Sequence, residues 1–92
     1  MEKELLFITV IGQDRKGIVA KISDYLFKND INIEDISQKI IGNYFVMMML
    51  VDIGESDKAI NEVRSSLEEI GKDLGMQIQL QHENIFKMMH RV

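Results

Sequence analysis

The spacing of apolar residues along this chain switches between a period of two and a period of three to four, and each switch marks an element. Leu5 to Ile11 is a run of β-branched, aromatic and aliphatic residues ending at Gly12, which predicts a strand. From Gly17 to Asn29, residues Ile18, Val19, Ile22, Tyr25 and Leu26 fall on one helical face, with Asp14 as the expected N-cap and Asn29 or Asp30 as the closing residue. Asn32–Ile41 and Tyr44–Ile53 read as strands joined by the two-residue hairpin signal Gly42-Asn43. After Gly54, Ser56 and Asp57 are expected to open a second helix carrying Ile60, Val63, Leu67, Ile70 and Leu74, which Gly75 ends. Met76 to Gln81 alternates strictly, the mark of a half-buried strand. Asn84 to Val92 forms a short tail with Ile85, Met88, Met89 and Val92 at helical spacing.

This order predicts an α+β chain of the ferredoxin-like βαββαβ type: a four-stranded antiparallel sheet, two helices on one face and a helical tail. Residues 1–92 form one domain, with no proline, linker or internal repeat. Right-handed crossovers put the first and third strands in the centre and the second and fourth at the edges. Both central strands carry apolar residues on both parities, whereas Gln77, Gln79 and Gln81 make one side of the last strand polar. Two helices cover only one face, so the other is expected to have an apolar centre and a wet rim. Leaving half a dozen large side chains there in water forfeits about 1.5–3 kcal/mol each. A second subunit or the chain's own tail is expected to cover it, and a self-complementary patch makes a two-fold homodimer, to which the tail also contributes.

Composition narrows the chemistry. The 92 residues are 46% hydrophobic and 28% charged, with a formal net charge of −4, which argues against nucleic-acid and anionic-membrane partners. There is no cysteine, so disulfides, thiolate metal sites and a cysteine nucleophile are excluded. The longest apolar run is far shorter than a membrane span, and no export signal precedes the first strand, so a cytoplasmic location is expected. His82 and His90 lack acidic partners at metal-binding spacing, and no serine has a histidine base in a recognisable motif. No metal, no cofactor and no catalytic residue is expected. The third strand keeps too little of the RNA-recognition pattern, and the first loop lacks the acylphosphatase arginine–glycine pattern.

One corner stands out. Gly12-Gln13-Asp14-Arg15-Lys16-Gly17-Ile18 turns a strand into a helix, where free amides and the positive end of the helix dipole suit a small carboxylate. Each residue also has an ordinary use: Asp14 as a cap, Gly17 for close approach of helix and sheet, Arg15 and Lys16 as solvated charges.

The segment Phe7 to Ile22, with Asp14-Arg15-Lys16-Gly17-Ile18 inside it, resembles the opening of an ACT domain, and Asn32-Ile33-Glu34-Asp35-Ile36-Ser37-Gln38 resembles that family's entry into its second strand. The likeness extends to short free-standing ACT proteins, to the start of formyltetrahydrofolate deformylase and to the glycine-cleavage repressor. It implies a regulatory module, not an enzyme, that binds an amino acid at a homodimer interface. Gln13 to Ile18 of one subunit would form one wall, and the start of the second strand near Asn32, often from the neighbouring subunit, the other; the helix-start amides would hold a carboxylate, and Asp14, Asn32 or Asp35 would meet an amino group. The alternative is a ligand-free adaptor that docks an unidentified protein through its sheet face or edge strand.

Overall fold

Residues 2–89 are described by a computed structural model. The elements are β1 (Leu5–Gln13), α1 (Ile18–Lys28), β2 (Asn32–Ile41), β3 (Tyr44–Asp52), α2 (Ile60–Leu74), β4 (Met76–His82) and α3 (Asn84–Met89). The four strands form one antiparallel sheet in the order β2-β3-β1-β4, with β1 and β3 central as the hydrophobic pattern requires. The expected tail helix is present through Met89, and its remainder, with His90, lies outside the described residues.

One face of the sheet packs on the two helices. Leu6, Ile8 and Val10 of β1, Phe45, Met47 and Met49 of β3, and Ile78 and Leu80 of β4 are buried there. They meet Ile22 and Leu26 of α1 and Val63 and Leu67 of α2 in one core. The other face is open. Strand register arranges it in rows across the sheet, since directly paired residues share a face. The middle row is Ser37–Met48–Thr9–Gln79. Asp35–Leu50–Phe7–Gln81 flanks it on one side and Lys39–Val46–Ile11–Gln77 on the other. Each of these three rows ends in polar residues on β2 and β4, with Thr9 the one polar residue between them, which is the wet-rimmed apolar centre expected; the row at the hairpin end is Ile41–Tyr44–Gln13. Ile11, Tyr44 and Met48 remain 50%, 60% and 47% exposed, so the described part of the tail does not cover them.

Both helix starts differ from expectation. Asp14 does not cap α1; Gly17 is the N-cap, at φ 86°, and no side chain bonds the first turn. A left-handed φ, rather than close packing, is what requires glycine here, because a Cβ at Gly17 would meet nothing within 4 Å. Close approach occurs instead at Gly12, where a Cβ would lie 2.7 Å from Met76 Sδ and 2.8 Å from the Gly75 carbonyl oxygen. The second helix starts at Ile60, not at Ser56 or Asp57. Ser56 Oγ is occupied in a local turn, accepting the Lys58 N–H at 3.2 Å. Ala59 then serves as N-cap, and the Glu62 carboxylate accepts its N–H at 3.3 Å.

At the opposite end of the sheet, Asp52 Oδ1 accepts the N–H groups of Gly54 at 2.9 Å and Glu4 at 3.0 Å. These bonds tie the entry of β1 to the exit of β3 and hold the Asp52 carboxyl below its ordinary range.

Two stability predictions follow from these contacts. Gly12→Ala forces the α2–β4 junction outward and is expected to cost about 1–3 kcal/mol, read as a lower urea midpoint at unchanged slope. A carboxyl with a depressed folded pKa stabilises above its unfolded value of about 4 and loses that contribution as pH falls through the folded value. Asp52→Asn is therefore expected to be less stable than the parent at neutral pH. Below about pH 4 its stability should fall less steeply with pH, measured by urea titrations across that window.

Candidate functional site

The corner between β1 and α1 is held from two sides. β1 continues two residues past the expected end, to Gln13, which pairs with Tyr44, and the Asp14 N–H then bonds the Asn43 carbonyl at 2.9 Å. The loop therefore abuts the tip of the β2–β3 hairpin. Arg15 is not a free cation: its Nη1 donates to the Leu74 carbonyl at 3.2 Å, placing its charge on the negative end of α2. From Gly17 the chain enters α1, and the first helical bond runs from the Lys21 N–H to the Gly17 carbonyl at 3.0 Å. The amides of Ile18, Val19 and Ala20 thus have no acceptor within the helix. The Ile18 side chain is buried in the core, so only its backbone belongs to the corner. Gln13, Asp14, Arg15, Lys16 and Gly17 are all exposed. Unbonded helix-start amides and the Lys16 side chain thus gather at one solvent-facing corner.

Asn32 and Asp35 lie elsewhere. Asn32 starts β2 opposite Asp52, itself opposite Leu5, whereas Gln13 ends β1 at the other extremity of the sheet. Eight residue steps along β1 separate the two, roughly 26 Å at strand rise. Within one chain they cannot touch the same small ligand.

Around Asn32 the structure adds groups that the sequence reading did not single out. The Asn32 amide and the Lys3 ammonium both donate to the Glu34 carboxylate, which these bonds hold below its ordinary pKa while the Lys3 amine is raised. Glu34 sits where the register between β2 and β3 slips, a bulge between Ile33 and Asp35. Beyond it Asp35 is exposed on the open face, its Oδ1 accepting the Ile36 N–H at 2.9 Å. A cleft of about 480 Å³ between Lys3, Phe27, Asn32, Glu34 and Asp52 marks this end. Lys3 and Glu34 are 31 positions apart, and no spacing rule connects them.

The two sheet edges are unequal. The Glu83 N–H bonds the Leu5 carbonyl at 3.1 Å, so by antiparallel alternation the even residues of β4 point their backbone groups outward. Two of those outward carbonyls are covered, one by a hydrogen bond and one by close packing. Leu80's accepts Arg64 Nη2 at 3.3 Å, and Met76's lies where a Cβ on Gly71 would come within 2.7 Å. Among the described residues β2 has no such cover and is exposed from Asp35 to Ile41. Its two-residue hairpin makes Ile41 and Tyr44 a hydrogen-bonded pair, which leaves the N–H and C=O groups of Ile36, Gln38 and Ile40 pointing away from the sheet. Ile36 and Ile40, on the helix side, are 42% and 55% exposed.

Among the described residues no three His, Asp or Glu side chains group closely enough to hold a metal ion. No helix is long and apolar enough to cross a membrane.

Comparison with known proteins agrees with this architecture. The ACT domain family model matches residues 4–81. A UPF0237 protein of Methanocaldococcus jannaschii is 52% identical over 85 residues, covering 92% of this chain and 94% of the relative. The ACT domain protein from Streptococcus pneumoniae superposes with a TM-score of 0.81 at 34% identity, covering 92% of this chain and 96% of the other. A formyltetrahydrofolate deformylase from Pseudomonas syringae (TM-score 0.80, 19% identity, 90% of this chain and 28% of that one) shares the fold. So does a putative glycine cleavage system transcriptional repressor (0.78, 24%, 89% and 47%). ACT domains are in general regulatory ligand-binding modules. By family model and by relatives alike, this chain belongs to the ACT domain family, among its short UPF0237 members.

Proposed function

We propose that this protein is a regulatory module that binds an amino acid or a related small metabolite between two copies of itself, with no catalysis of its own. The observation that carries this reading is the position of the two half-sites at opposite ends of an unprotected edge strand. Antiparallel pairing of β2 with β2 of a second copy turns that separation into proximity. With Ser37 at the dyad, Asp35 of one copy lies beside Lys39 of the other, and Asn32, drawn one position closer by the bulge, falls opposite Ile41 beside the partner hairpin tip. That tip is bonded to the Asp14 loop. The backbones around Asn32 and Asp14 then stand about 15 Å apart, three strand spacings, before side chains reach in. The same pairing satisfies the outward backbone groups of Ile36, Gln38 and Ile40 and brings their exposed isoleucines together beside α1.

In that crevice the amides at the start of α1 hold the ligand carboxylate, with Lys16 adding positive charge. Asn32 and Asp35 of the second copy accept from its amino group. Arg15 positions the loop through the end of α2. Because each site draws on both copies, ligand favours the paired state over the separated one and alters whatever the pair contacts.

Calorimetry against the common amino acids tests this. One of them is expected to give heat, and at a hundredfold excess over Kd to add about 2.7 kcal/mol of stability, a rise of about 10 °C or more in Tm. Gln38→Pro removes an outward N–H without touching the β3 ladder, so it should abolish binding while leaving the circular dichroism unchanged. No heat and no shift at millimolar ligand would contradict the reading and favour the ligand-free adaptor.

A further inference from the structure

The open face is symmetric in a way that a merely apolar patch need not be. Rotation by 180° about an axis along the middle row, lying just above the sheet, exchanges the two flanking rows. Phe7 and Leu50 then face Ile11 and Val46 of the second copy. The glutamine rim meets a glutamine rim, and amides both donate and accept. Asp35 faces Lys39. Across these three rows charge meets opposite charge, apolar meets apolar and polar meets polar. Among the described residues, the tail leaves this face open.

We infer that the open sheet face is a second interface between copies of this chain, packed face to face through that dyad, so that edge-paired dimers assemble in fours. Area supports the step. Four strands and three rows give roughly 400 Å² per chain at ordinary sheet spacings. An edge-paired dimer doubles that to about 800 Å² on each side, the size of an ordinary stable interface. Closure supports it too. The dyad at Ser37 that pairs the edges and the dyad of the face pass through the same row, so the two operations intersect and generate a closed four-chain group rather than a filament. Sheets stacked this way sit about 10 Å apart, the thickness of the side chains supplied by these rows.

The four-chain count rests on the edge pairing proposed above; the face contact does not. Light scattering during size exclusion, over a dilution series, separates them. Wild-type protein is expected at four times the 10.7 kDa chain mass. Met48→Lys, at a half-exposed site in the centre of the face, is expected to halve that mass with unchanged circular dichroism, and Ile11→Lys on the neighbouring row should do the same. A mass unaffected by both substitutions overturns the proposal, whatever the wild-type value. Failure of the edge pairing shows differently, as a Gln38→Pro protein of unaltered mass.

Discussion

A four-stranded antiparallel sheet backed by only two helices leaves two things unsatisfied: the side chains on its second face and the backbone groups on its outer strands. Everything distinctive about this chain follows from how it treats those two. Helices α1 and α2 bury one parity of β1 and β3 completely. The other parity remains apolar at its centre, and neither helix can reach it. At the edges the chain covers two β4 carbonyls, with Arg64 and with the close pass of Gly71, whereas the described residues leave β2 bare. Natural sheets protect edges that are not meant to pair, so the contrast between β4 and β2 has a physical meaning.

The proposed ligand site is a consequence of the same arrangement. A loop at the start of α1 supplies amides and positive charge, but it stands in solvent with no opposing wall. The β2 entry supplies carboxylates and an amide, but at the other end of the sheet. A strand running antiparallel to its own copy interchanges the two ends, so edge pairing brings together what a single chain keeps apart. The bulge at Glu34 matters here because it is anchored by Lys3 and Asn32 at the mouth of that crevice.

Much of the fold was legible from spacing alone. β2 was bounded correctly from Asn32 to Ile41, because the Gly42-Asn43 signal fixes one end and the change of period fixes the other. Strand order followed from crossover handedness and from the apolar density of β1 and β3. Helix starts were less legible, since Ser and Asp serve local turns as readily as caps: Ser56 took the turn, and Gly17 displaced Asp14 through its backbone conformation. The corner was visible as a cluster, yet Arg15 reaches Leu74 across 59 positions, and Lys3 reaches Glu34 across 31. Partnerships at that separation leave no periodic trace, which is why the carboxylate cluster around Asn32 emerged only with the structure.

The central claim is that the β2 edge is occupied by another copy in solution. Amide hydrogen exchange at Gln38 and Ile40 addresses it most directly, because these N–H groups point away from the sheet, whereas that of Ile36 already has the Asp35 carboxylate as acceptor. The account predicts protection at these two positions comparable to that of the β3 ladder, lost on dilution. Exchange at the rate of freely exposed amides at every concentration would contradict it.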